Sequence, residues 1–127
     1  MKTPARILLA EDDRILRRAG EVTLRKQGYQ VMVAVDGQDA LTKIREHAPD
    51  LILLDVMMPK LDGFEVLARV KANPDTRGIP VIMLSNLEEP SNVRRAAECG
   101  ADAYLVKSSL RPDQLAEIVA KALARAG

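Results

Sequence analysis

Four polar segments of this chain each follow a short apolar run, and their chemistries are complementary. Glu11-Asp12-Asp13 follows Ile7-Leu-Leu-Ala10, and Asp55 follows Leu51-Ile-Leu-Leu54. Ser85 follows Pro80-Val-Ile-Met-Leu84, and Lys107 follows Ala103-Tyr-Leu-Val106. Apolar runs of this length, bounded by turn signals, read as strands buried on both faces. In an open parallel sheet, ligands bind beyond the carboxyl ends of the strands. If these four ends are neighbours, Glu11, Asp12 and Asp55 share a crevice with an ammonium and a hydroxyl. Two carboxylates about 4 Å apart repel by about 4 kcal/mol at an effective dielectric of about 20. Protonation of one acid relieves that repulsion; a divalent cation is the other escape. Oxygen ligands without His or Cys suit Mg²⁺ or Mn²⁺ rather than Zn²⁺. A metal, an ammonium and a hydroxyl around a carboxylate form a site for a phosphoryl group. The carboxylate can itself be the nucleophile, as in aspartyl-phosphate chemistry.

The elements that must bring these ends together alternate strand and helix. Arg6 to Ala10 is a first strand, and one of the three acids after it caps a helix from about Arg14 to Gln27. Ile15, Leu16, Ala19 and Val22 form its expected apolar stripe, and Gly28 stops it. Gln30 to Val35 is a second strand and Asp36-Gly37 a turn. Ala40, Leu41, Ile44 and Ala48 mark a helix that Pro49 terminates. After the Asp55 strand, Phe64, Leu67, Ala68 and Val70 mark a third helix, ended at Asn73-Pro74. Glu88-Glu89-Pro90 starts a fourth, with a small face of Val93, Ala96 and Ala97. Pro112 opens the last, whose stripe is Leu115, Ile118, Val119, Ala122 and Leu123. Strand–helix–strand units with right-handed crossovers build a parallel sheet with helices on both faces. The expected fold is α/β: a doubly wound, flavodoxin-like parallel sheet of five strands in order 2-1-3-4-5 with five helices. That order makes strands one, three, four and five consecutive, so the polar ends converge.

The composition excludes several other classes. The chain has 127 residues, which suits one domain over residues 1–127, and 47% are hydrophobic, enough for a core. Lys plus Arg number 19 against 18 acids, a net charge of +1, which argues against DNA or membrane binding by charge. Tyr29, Phe64 and Tyr104 are the only aromatics, too few for base stacking. The single cysteine, Cys99, forms no internal disulfide, consistent with a reducing cytoplasm. No apolar run approaches the roughly 20 residues of a membrane span, and the start has no signal-peptide core.

Four stretches in order then resemble the receiver domain of two-component response regulators, of the single-domain chemotaxis-regulator kind. They are Ile7-Leu-Leu-Ala-Glu-Asp-Asp13, Leu54-Asp-Val-Met-Met-Pro-Lys-Leu-Asp-Gly63, Ser85, and Gly100-Ala-Asp-Ala-Tyr-Leu-Val-Lys107. The resemblance implies that Asp55 accepts phosphate from the phosphohistidine of a sensor histidine kinase or phosphotransfer protein. It implies Mg²⁺ held by Asp12, Glu11 (through water), Asp55 and the carbonyl of Met57. Lys107 would contact the phosphoryl group, Ser85 would move to bond it, and Tyr104 would turn inward behind it. The fourth helix, fifth strand and fifth helix would present the switched surface to a downstream protein. Such a domain is not an enzyme beyond its own phosphorylation and dephosphorylation. The chain departs from the family pattern twice. Asn86 stands where a small residue usually follows the switch hydroxyl. Ser108 stands where a cis proline usually follows the lysine. A cis bond before a non-proline costs about 2.5–4 kcal/mol, so the loop is trans or strained.

Plainer readings compete for the remaining residues. Asp13 suits a helix cap better than a metal ligand. His47 sits where a cation favours a helix C-terminus. Cys99 reads as a small packed residue, and Arg17-Arg18 and Arg94-Arg95 as solvated helix faces. Two other functions are weighed against the switch. A degenerate receiver would bind protein without phosphate, as Asn86 and Ser108 would allow. An Mg²⁺-dependent aspartyl phosphohydrolase needs a second acid two residues after the nucleophile, where this chain has Met57. A flavin phosphate would be repelled by the acidic first loop without a metal.

Overall fold

The structure is a computed structural model that describes residues 4–86 and 90–126, apart from the side chain of Pro90. Its elements alternate: β1 (Arg6–Ala10), α1 (Arg14–Lys26), β2 (Gln30–Ala34), α2 (Gly37–His47), β3 (Leu51–Asp55) and α3 (Gly63–Ala72). Then come β4 (Val81–Ser85), α4 (Pro90–Glu98), β5 (Ala103–Val106) and α5 (Pro112–Ala126). The five strands form one parallel sheet in the order β2-β1-β3-β4-β5. The central strand β3 is buried along its whole length. Its side chains alternate between two cores, as a strand covered on both faces requires. Ile52 and Leu54 pack with α2, α3 and α4 through Leu41, Phe64, Leu67 and Ala96. Leu51 and Leu53 pack with α1 and α5 through Leu24, Leu115 and Val119. Among the described residues no helix is long and apolar enough to cross a membrane.

Caps set the helix starts that face the site. Asp13 accepts hydrogen bonds from the amides of Ile15 and Leu16, the cap role expected of it. Asp36 caps α2 through the Asp39 amide and Asp62 caps α3 through the Glu65 amide. Asp36-Gly37 is thus a helix start rather than a free turn. Gly28, at φ +94°, ends α1 in the left-handed conformation that glycine tolerates.

The stripe expected on α1 is mostly exposed, with Val22 its one half-buried member. Ile15 is 80% exposed and Leu16 44%, Ala19 is exposed, and Leu24 is the fully buried residue. The inward face carries Arg17, Gly20, Glu21 and Leu24. Two long polar residues on it are partly covered, which hides the helical period. A Cβ on Gly20 would meet Leu9, so the helix lies close to the sheet there. Three smaller differences have local causes. Val66, not Ala68, faces the core from α3. Ala48 is no part of the α2 stripe but its left-handed C-cap, at φ 42°. In α4, Ala96 is buried while Val93 and Ala97 are exposed; Glu88 and Glu89 lie outside the described residues.

Candidate phosphoacceptor site

The acid pocket is assembled by strand register. Asp55 pairs with Leu84 on β4, and Ala10 pairs with Leu54 on β3. Glu11 therefore stands level with Asp55 one strand away. Ser85 pairs with Val106, so Ser85 and Lys107 lie one and two steps further along their strands. One carboxylate oxygen from each of Glu11, Asp12 and Asp55 lies within 4.8 Å of the others. Glu11 and Asp55 are buried and Asp12 is exposed. Lys107, from the opposite side, hydrogen-bonds Glu11 and places its ammonium 3.1 Å from Asp55 Oδ2.

That lysine is a third way to relieve the acid repulsion, beside protonation and metal. Burial pushes the Glu11 carboxyl above its ordinary pKa, and the neighbouring Asp55 adds to the rise; Lys107 opposes both. Burial alone would lower the Lys107 pKa. Its bonds to Glu11 and Asp55 outweigh burial and raise it, so the ammonium stays charged. The donor set of three carboxylates, without nitrogen or sulfur, fits a hard divalent cation.

Backbone contacts hold these groups in place. The Met57 amide lies 3.3 Å from Asp55 Oδ1, while the Met57 side chain is 63% exposed. Gly63 opens α3 directly under the acceptor. A Cβ there would overlap the Asp55 carbonyl oxygen, and the Gly63 amide bonds the Val56 carbonyl at 2.9 Å. The 56–62 loop also leans on α2. The Gly37 amide reaches the Pro59 carbonyl at 3.3 Å, and Lys60, at φ 69°, pairs with Asp36 at 3.5 Å. Arg17 is the residue that the sequence pattern missed. Its guanidinium donates to the carbonyls of Glu11 (2.9 Å) and Asp12 (3.2 Å), tying the acidic loop to α1. The visible signal was its spacing, one turn into the helix that follows the acids. Arg18 is solvated as expected, and pairs with Glu21.

Ser85 and Tyr104 lie on the other side of the sheet from Lys107. Strand alternation puts Ser85 with Val81 and Met83, and Tyr104 packs against that same core. Ser85 is fully buried and Tyr104 half-buried. Lys107 to Ser109 form one turn of 3₁₀ helix, and the Lys107–Ser108 bond is trans. The loop after β5 thus takes the unstrained alternative. Cys99 is half-buried against the α4-side core, and His47 lies 3.8 Å from Glu46 at the end of α2.

Known proteins resemble this chain in sequence and in fold. A protein of Myxococcus xanthus described as a gliding motility regulatory protein is 44% identical over 114 residues, which is 90% of this chain and 15% of that protein. Protein PilG of Pseudomonas aeruginosa is 36% identical over 91% of this chain and 85% of its own length. The chemotaxis protein CheY4 of Vibrio cholerae superposes with a TM-score of 0.88 at 30% identity, over 94% of this chain and 99% of that one. The Mn²⁺-bound form of response regulator Rcp1 superposes with a TM-score of 0.79 at 33% identity, over 91% of this chain and 89% of that one. The family model for the response regulator receiver domain matches residues 7–120, from inside β1 into α5. The chain belongs to that family, the receiver domains of two-component signalling.

Proposed function

We propose that this receiver is a phosphorylation-controlled switch in which Asp55 takes a phosphoryl group from a histidine kinase, a phosphotransfer protein or a small phosphodonor. The observation that carries the reading is the contact of Lys107 with both Glu11 and Asp55 beside Asp12. It puts a nucleophile, a fixed cation and two further acids at one spot. An Asp55 oxygen attacks phosphorus, the bond to the donor breaks, and the electron pair leaves with the donor group. Lys107 is placed to follow the transferred charge, because its ammonium already touches the acceptor. Glu11, Asp12, Asp55 and the Met57 carbonyl would hold Mg²⁺, with Mn²⁺ an alternative as in Rcp1. Bound there, the ion supplies positive charge against the phosphoryl oxygens. Ser85 and Tyr104 would carry the change through the α4-side core to the α4–β5–α5 surface. The output is contact with a downstream protein in the cytoplasm, and the catalysis is confined to the chain's own phosphate.

The test uses Mg²⁺ and acetyl phosphate, with intact mass as the readout. Wild type gains one phosphate and Asp55→Asn gains none. Uptake unaffected by that substitution removes the assignment.

A further inference from the structure

A cavity of about 550 Å³ opens beside the acid pocket, between the 56–62 loop and α4, and shares Asp12 and Met57 with it. Its far wall is built by Asn92 and Arg95, one turn apart on a single face of α4. The Arg95 guanidinium carbon lies over the Phe64 ring, 4.1 Å from its centroid. That cation–π contact restrains where the group sits and uses none of its N–H donors. Among the described residues the Arg95 guanidinium makes no hydrogen bond or ion pair, and the side-chain amide of half-buried Asn92 makes no hydrogen bond. The nearby Asp62 carboxylate accepts the Glu65 amide on Oδ1 and makes no ion pair with Arg95. An oriented guanidinium beside a side-chain amide is a receptor for a planar carboxylate.

We infer that this cavity is a leaving-group subsite for acyl phosphates, with Arg95 as its specificity-determining residue. The inference rests on Asp55 as the phosphoacceptor. A new bond forms between Asp55 oxygen and phosphorus, the P–O bond to the acyl group breaks, and the electron pair departs on a carboxylate. In-line transfer puts the departing group away from Asp55, and this cavity adjoins the site at Asp12 and Met57. Arg95 pairs with the carboxylate as its charge develops, and Asn92 donates alongside. A donor whose leaving group is ammonia develops no anion there, and Arg95 is then idle.

The experiment compares acetyl phosphate with phosphoramidate on wild type, Arg95→Gln and Asn92→Ala, with Mg²⁺ present. Loss of one hydrogen bond to a charged group lowers the Arg95→Gln rate constant with acetyl phosphate about tenfold. The phosphoramidate rate and the affinity for beryllofluoride, a phosphoryl mimic, stay at wild-type values. Asn92→Ala shifts the donor ratio in the same direction by less. An equal loss with both donors, or none with acetyl phosphate, overturns the subsite and leaves the phosphoacceptor reading standing. A wild-type chain labelled by neither donor overturns both.

Discussion

Lys107 decides the electrostatics of the pocket. Its side chain is 14% exposed, and those of Glu11 and Asp55 are each 5% exposed. Removing one partner from so covered a cluster leaves the others uncompensated, at a cost of about 3 kcal/mol. The size of that loss in Lys107→Met depends on pH, and the sign follows from Glu11. Burial already raises the Glu11 pKa, and losing the lysine raises it further. An acid with a raised folded-state pKa favours folding below its unfolded pKa, and that contribution is lost as pH rises through the folded value. The Lys107→Met deficit is therefore larger at pH 7 than at pH 5. Thermal melts at the two values check this; equal deficits would assign the loss to packing. The residue types at this site were readable because each follows an apolar run. The Lys107–Glu11 contact was not, because 96 positions separate the two residues and only the sheet joins them.

At the scale of elements, the loop that carries Met57 is held by α2 as much as by its own strand. Gly37 has no room for a side chain, since a Cβ would overlap the Leu61 carbonyl oxygen. Gly37→Ala forces loop and helix apart at a cost of about 1–3 kcal/mol, read from denaturant midpoints. The same junction has an acid dependence. The Asp39 amide, aided by Lys60, holds the Asp36 carboxyl below its ordinary pKa. A depressed carboxyl adds stability that is present above its unfolded pKa and lost as pH falls through the folded one. Asp36→Asn therefore lowers stability near neutrality and shows a shallower acid limb, which a melt series from pH 6 to pH 3 resolves. At the other end of α2, Ala48 holds a left-handed conformation that costs an L-residue about 1–2 kcal/mol. Ala48→Gly recovers part of that, about 0.5–1 kcal/mol, because glycine costs more chain entropy. The strands were legible as unbroken apolar runs, and α5 as a clean helical stripe. The face of α1 was not. Ile15 and Leu16 supply the period but stay exposed, while Gly20 and the half-covered Arg17 and Glu21 supply the contact. Hydrophobic spacing records what a helix could bury, not what the neighbouring strand leaves room for.

The molecule as a whole sets a binding site against its own stability. Two apolar cores are fused along β3, and the strand that joins them ends in a carboxylate beside two others. The order β2-β1-β3-β4-β5 makes that crowding unavoidable, since it sets the ends of β1 and β3 side by side. A bound divalent cation reverses the sign of the interaction, so metal affinity and folding stability are linked. An ion that binds only the folded state stabilises it by about 2.7 kcal/mol at a hundredfold excess over its dissociation constant. Asp12 is the acid on which to test this, because it is exposed and its replacement leaves no cavity. Asp12→Asn removes one repelling charge, so in EDTA the variant melts slightly above wild type. Adding Mg²⁺ raises the melting temperature of wild type by several degrees and that of Asp12→Asn by much less, so the order of the two proteins reverses. Calorimetric scans with and without the ion read the crossing directly. An equal Mg²⁺ response in both proteins would remove Asp12 from the ligand set and place the ion elsewhere.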